Sequence, residues 1–220
     1  MRDILKEQLI FLSLFVFFIA IGGVLLLYME KGDLIFFLND RRTVFGDFFF
    51  KWGTKLGEIV PYVLGGLILI YLKRYAFAIT IPILGGLVSL VSNLSKSYFS
   101  QYRPYTIFKQ EGILDQINFI DGVVISKAAS SFPSGHTMSA FAIYFFLSLA
   151  FPQKKYLGFL FFFLALIVGL SRVYLVQHFF QDIYLGSIMG VVLAFGVYVA
   201  TVKLERFRNA DASSSARDNA

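Results

Sequence analysis

LIFLSLFVFFIAIGGVLLL occupies residues 9–27, and its reading decides the class of fold. No ionisable side chain interrupts it. As a helix, a run of about 20 apolar residues crosses the hydrocarbon core of a bilayer. Arg2 and Lys6 precede it, as in a secretory leader, but no small-residue cleavage site follows; Tyr28, Met29, Glu30 and Lys31 do. The segment is therefore read as a retained span. Composition agrees: 57% of the 220 residues are hydrophobic and 15% charged, against about 25% charged in a soluble domain.

Working outward, further apolar segments fall at residues 59–72, 76–94, 134–151, 156–170 and 179–202. With the first they predict an all-α, polytopic membrane helix bundle of about six transmembrane helices in one domain, residues 1–203. The tail 204–220, rich in Ala, Ser, Asp and Asn, reads as a disordered cytoplasmic extension. Residues 31–58 mix Phe36, Phe37, Phe48 and Trp52 with Asp33, Asp40, Arg41, Arg42 and Lys55. Too charged to span, they read as an N-terminal amphipathic segment lying in the interface. Gly186-x-x-x-Gly190, Gly65-Gly66 and Gly85-Gly86 read as close helix contacts. The absence of cysteine excludes disulfides, thiolate catalysis and thiolate-bound metal. The net charge of +6 is scattered between apolar segments. That pattern suits membrane lipids and phosphate better than nucleic acid.

With about six spans, both termini share a side with the short basic turns Lys73-Arg74 and Lys154-Lys155. The positive-inside rule makes that side cytoplasmic. The same parity puts both histidines of the chain, His136 and His178, at the opposite ends of spans, together with Lys96, Arg103, Arg172 and Asp182. Ionisable groups at membrane depth are costly and tend to mark function.

They form three clusters. Residues 96–104 pair Lys96 with Arg103-Pro104: a cationic helix cap, or a clamp on phosphate oxygens. In residues 131–137, Ser131-Phe132-Pro133-Ser134-Gly135-His136-Thr137, Pro133 and Ser134 read as a helix start whose free N–H groups would suit an anion, with His136 beside it. The plainer alternative is a cap with an incidental histidine. In residues 171–182, Ser171 and Arg172 precede His178 and Asp182, four apart. If helical there, the carboxylate would orient the imidazole and leave its other nitrogen to attack. A structural His–Asp hydrogen bond is the alternative, and a metal pair lacks further ligands.

In order, these clusters resemble the three signature motifs of the type 2 phosphatidic acid phosphatase superfamily, which includes lipid phosphate phosphatases, glucose-6-phosphatase and the soluble vanadium haloperoxidases. Every residue expected of the motifs is present. The resemblance implies that His178 attacks phosphorus, Asp182 orients it, and His136 protonates the leaving oxygen and later activates water. It implies that Lys96, Arg103, Ser134, Gly135 and Arg172 hold the phosphate, with no metal and no cofactor. The expected activity is hydrolysis of a phosphomonoester or diphosphate of a membrane lipid through a phosphohistidine. Undecaprenyl diphosphate, phosphatidylglycerol phosphate, phosphatidic acid and lipid A all fit. The expected location is a bacterial inner membrane, with the site facing the periplasm. A lipid phosphotransferase using the same site is an alternative. So is a non-catalytic anionic-lipid binding or transport protein, which would have no use for His178, His136 and Asp182 together. Oligomeric state is not legible.

Overall fold

The computed structural model describes residues 9–126, 130–151 and 155–218, without the side chains of 155 and 208–218. Arg2, Lys6 and Lys154, invoked above, lie outside the described residues. The described chain is all helix and loop: α1 Leu9–Tyr28, α2 Asp33–Asp40, α3 Val44–Gly53, a 3₁₀ turn Thr54–Gly57, α4 Ile59–Tyr71, α5 Tyr75–Phe99, α6 Pro104–Gln110, a 3₁₀ turn Leu114–Gln116, α7 Gly135–Ala150, α8 Lys155–Tyr174 and α9 Phe180–Asp218.

Four helices, α1, α5, α8 and α9, are long and apolar enough to cross a membrane, or five if α3, its 3₁₀ turn and α4 form one span bent by 54°. This integral membrane bundle thus falls short of six full-length spans. The shortfall has a physical source in α7. At 16 residues it is about 24 Å long, less than the roughly 30 Å hydrocarbon thickness. It is also wrapped by protein: Met138, Phe141, Phe145 and Phe146 are fully enclosed. Its length is set by its neighbours and not by lipid. The outermost helix is the reverse case, since α1 buries Phe11 and Gly22 and leaves Val16, Phe17 and Leu27 outward.

Apolar burial gives little drive for helix association in lipid, so close packing must supply it. Gly186 and Gly190 meet that expectation. A Cβ on Gly186 would stand 2.7 Å from the Ser134 carbonyl, and one on Gly190 would strike the Met138 carbonyl. The two doublets divide. Gly65 presses on Leu147 and Gly85 on Tyr62, whereas Gly66 and Gly86 have nothing within 4 Å. The expectation of close contact fails at Gly66 and Gly86, which face a cavity.

The charged segment after α1 is held down by its polar groups. Asn39 exchanges two hydrogen bonds of 2.9 Å with the Asn118 backbone. Thr43 caps α3 by accepting the Gly46 N–H. Asp47 pairs with Arg42 at 2.7 Å and accepts the Tyr174 hydroxyl at 2.8 Å, docking α3 on the end of α8. The polar stretch after α5 is likewise structured, with Pro104 at the first turn of α6 as proline's fixed φ favours.

Candidate active site

Three chain reversals set the site. The first ends α5. Lys96 lies in its last turn, and Ser100 adopts a left-handed φ of 44° with its N–H on the Lys96 carbonyl. The chain doubles back to bring in Arg103, whose buried guanidinium donates from Nη1 to the Gln177 carbonyl at 3.1 Å. The second opens α7. Ser134 is the N-cap, its hydroxyl accepting from the Thr137 N–H and hydroxyl. At Gly135 a Cβ would stand 2.8 Å from Ser92 Oγ and 3.4 Å from Lys96 Nζ. Glycine thus lets the ammonium reach the helix N-terminus, where unspent N–H groups favour an anion.

The third reversal links α8 to α9. The N–H groups of Gln177 and His178 both return to the Arg172 carbonyl, at 2.9 and 3.1 Å. Val176 sits at φ 55°, an outlier for a β-branched residue. His178 precedes α9 and is not within it, so the expected helical spacing does not make its contact with Asp182. Asp182 makes it by reaching back over the helix start. Its Oδ2 accepts from the Phe179 N–H at 3.0 Å and lies 3.1 Å from His178 Nδ1. A carboxylate there also suits the positive end of the helix. Nε2 of His178 is left free of this network. Burial pushes the imidazole down to about 4, with Asp182 opposing the shift. The ring is thus neutral at pH 7 and carries a lone pair.

All the singled-out residues converge. The Ser134 N–H donates to the Asp182 carbonyl at 3.0 Å, joining the second cluster to the third. His136 lies within electrostatic reach of Arg172, His178, Lys96 and Arg103. Arg172 spends Nη1 on Thr54 Oγ1 at 2.8 Å. The Nε atoms of Arg103 and Arg172 are buried without a partner, donors that a phosphate oxygen would satisfy. Among the described residues no three histidine or carboxylate groups gather as a metal site.

A family profile described as the PAP2 superfamily matches residues 64–206. The chain belongs to the PAP2 superfamily. Two curated relatives are similar to it. Phosphatidylglycerophosphatase B of Bacillus subtilis (strain 168) is 37% identical over 93 residues, 39% of this chain and 46% of that protein. The chain therefore spans less than half the length of this relative. Bacitracin transport permease protein BcrC of Bacillus licheniformis is 28% identical over 154 residues, 68% of this chain and 70% of that one. Two crystal structures share the fold. Aquifex aeolicus LpxE has a TM-score of 0.63 at 22% identity, over 80% of this chain and 96% of that one. The first transmembrane PAP2 type phosphatidylglycerolphosphate phosphatase from Bacillus subtilis has 0.66 at 24%, over 94% and 100%.

In this PAP2 chain three site neighbours escape a reading by motif. Ser131 is fully buried and donates its hydroxyl to Asp182 Oδ2, the oxygen that also faces His178. It opens the second cluster, but its residue type carries no sign of the contact with Asp182. Thr54, the partner of Arg172, and Glu58, with Oε1 3.8 Å from His136 Nε2, come from the 3₁₀ turn and its end. Both belong to the stretch 31–58, whose sequence reads as interfacial. The available signal was the break itself, Gly53 to Gly57 between two apolar helices.

Proposed function

We propose that this chain is an integral membrane lipid phosphatase that hydrolyses a phosphomonoester or diphosphate through a phosphohistidine on His178. One observation carries the choice of a lipid over a water-soluble phosphate ester. The anion cluster opens onto an apolar cavity of about 770 Å³ between α4 and α5, with His136 and Gly135 on its wall and Leu67, Ile70 and Ile81 along it. That volume suits an acyl or prenyl chain lying in an open apolar groove. A polar headgroup at His136 and a hydrocarbon tail along α4 and α5 would fill the two ends.

The chemistry follows from the partners. Nδ1 of His178 is engaged by Asp182, so Nε2 is the nucleophile. Its lone pair forms the bond to phosphorus as the bond from phosphorus to the lipid oxygen breaks. The electron pair leaves on that oxygen, which takes a proton from His136. Water then attacks the phosphohistidine, gives its proton to His136, and frees phosphate and His178. Lys96, Arg103 and Arg172, with the Gly135 N–H and Ser134, balance charge on the phosphoryl oxygens. Such positioning and neutralisation are what phosphoryl transfer requires.

The two ends of α5 bear on the orientation. Arg74 at its start donates to the Ala150 carbonyl at the end of α7, and Lys96 near its end meets the start of α7. The helix rises about 33 Å between them, close to a bilayer's thickness. This supports α7 as an end-to-end member of a six-span set. It puts the site opposite the Lys73–Arg74 turn; the positive-inside rule and the bacterial relatives then support a periplasmic site in a bacterial inner membrane. The proton donor and nucleophile favour hydrolysis over a transport role of the kind the Bacillus licheniformis permease protein is named for.

The test is phosphate release by purified full chain from phosphatidylglycerol phosphate, phosphatidic acid, undecaprenyl diphosphate and lipid A, with and without EDTA. One lipid should release phosphate at an undiminished rate in EDTA, and rapid quenching should trap an acid-labile phosphoenzyme. Transfer to an acceptor lipid without free phosphate would point to the phosphotransferase. Loss of turnover in EDTA, restored by a divalent ion, would end the metal-free scheme.

A further inference from the structure

We infer that Glu58 is a positioning residue for His136. Its carboxylate accepts a hydrogen bond from Nε2–H of the imidazolium and so turns Nδ1–H toward the oxygen leaving phosphorus. The inference deepens the lipid phosphatase reading and rests on it. It draws on a part of the chain outside the residues 64–206 matched by the family profile.

Glu58 is the residue before α4, at its N-cap, yet its side chain makes no capping bond. A carboxylate at a helix start is ordinarily stabilised by the free N–H groups there. This one turns away, to Lys55 Nζ at 3.0 Å and to His136 Nε2 at 3.8 Å. The backbone beneath it has little freedom to drift. A Cβ on Gly57 would stand 2.6 Å from Val168 and 3.1 Å from the His136 carbonyl. The Leu56 carbonyl accepts the Tyr144 hydroxyl at 3.0 Å, and Thr54 accepts from Arg172. The turn is thus fixed against both α7 and α8.

Charge gives the second argument. The groups facing His136 are Lys96 from α5, Arg103 ahead of α6, Arg172 from α8 and His178 from the α8–α9 reversal. Each of the three fixed cations opposes a positive charge on the ring. Lys55 screens Glu58 from the turn side, and Arg172 also lies within its electrostatic reach. An acid must hold a proton before it can give one, and Glu58 is the carboxylate placed to favour that. A negative charge beside a phosphate site otherwise weakens anion binding. Its presence beside the site is accounted for when it serves the proton donor. At 3.8 Å the contact is an ion pair that closes when His136 is protonated, since catalytic contacts often tighten only in the reacting complex. His178 with Asp182 and His136 with Glu58 are then two histidine–carboxylate pairs, one gripped at Nδ1 and one at Nε2.

The experiment uses the full chain in detergent, with Glu58→Gln, Glu58→Asp, His136→Ala and the double variant Glu58→Gln/His136→Ala. Single-turnover phosphoenzyme formation is timed with dioctanoyl phosphatidic acid, whose alkoxide needs a proton, and with p-nitrophenyl phosphate, whose phenolate leaves without one. Orthovanadate inhibition reports anion binding. General-acid help contributes about 10²–10⁴-fold. Glu58→Gln should lose a part of it, a fall on the order of tenfold in the lipid-to-aryl rate ratio. Vanadate should bind as tightly or tighter, and Glu58→Asp should recover part of the ratio. In the double variant Glu58→Gln should add nothing to His136→Ala, because one residue acts through the other. Equal loss on both substrates with weakened vanadate binding would make Glu58 structural and overturn the inference. An unchanged ratio in Glu58→Gln beside a selective loss in His136→Ala would overturn it alone. If His136→Ala is itself unselective, the acid role of His136 fails and the inference with it.

Discussion

Gly186 and Gly190 on α9, and Gly66 and Gly86 on α4 and α5, put one residue type to opposite uses on two sides of the same site. On the α7–α9 side the absent side chains let backbone meet backbone, so that a Cβ would strike the Ser134 or Met138 carbonyl. That contact carries the bond from the Ser134 N–H to the Asp182 carbonyl, and so the placement of His178 relative to the anion-binding helix start. On the α4–α5 side nothing fills the space, and the gap is the apolar cavity. A membrane bundle has little hydrophobic drive to close such a gap. Glycine by itself therefore says nothing about tightness. The neighbour decides: Gly65 and Gly85, one position earlier in each doublet, are covered by Leu147 and Tyr62.

The tight side is broken most completely at its chemical end. His178→Ala should abolish turnover and the acid-labile phosphoenzyme together. Asp182→Asn should keep measurable activity while losing up to about 10⁴-fold, because orienting a histidine is separable from its attack. Rapid-quench trapping with labelled substrate checks both. Turnover by His178→Ala at the native rate would refute the nucleophile.

Next in size come the glycines themselves, and they should part company. Gly190→Leu forces a side chain into the Met138 backbone, and overpacking of this kind costs about 1–3 kcal/mol or more. It should lower the thermal midpoint in detergent and reduce turnover of lipid and p-nitrophenyl phosphate alike. Gly86→Leu projects into the open cavity. It should leave the midpoint near the native value and lower the lipid-to-aryl ratio by about tenfold or more, the scale at which a pocket feels added methylenes. Matching phenotypes from the two variants would erase the distinction between the sides.

These contrasts also show what a sequence can disclose here. The apolar runs and the three clusters carry their chemistry in residue type: a lysine ending a span, Arg103-Pro104, Ser134-Gly135-His136, His178 with Asp182. The structure brings all of them together. What stayed hidden depends on contact between distant segments. Thr54 and Glu58 look like residues of an interfacial stretch because their partners, Arg172 and His136, are far along the chain. Gly66 and Gly65 are identical in sequence terms, and their separation into wall and seam is a matter of which side chain stands opposite. The shortness of α7 follows from its enclosure, which hydropathy does not report.

The smallest expected effect is on stability, and it too tests the tight side. Burial holds His178 at about 4, below the roughly 6.5 of an unfolded chain. Between those values the unfolded state binds the additional proton, so stability rises with pH there. His178 therefore withholds no stability above about pH 6.5 and costs progressively more as pH falls from 6.5 toward 4. The midpoint of the native chain should drop across that window. His178→Gln, which keeps a polar group of similar size without the titration, should drop less, and the difference between the two curves should vanish above pH 7. Parallel curves over the whole range would mean that the imidazole is not shut away from water. The dry contact of α9 on α7 would then not extend as far as the nucleophile.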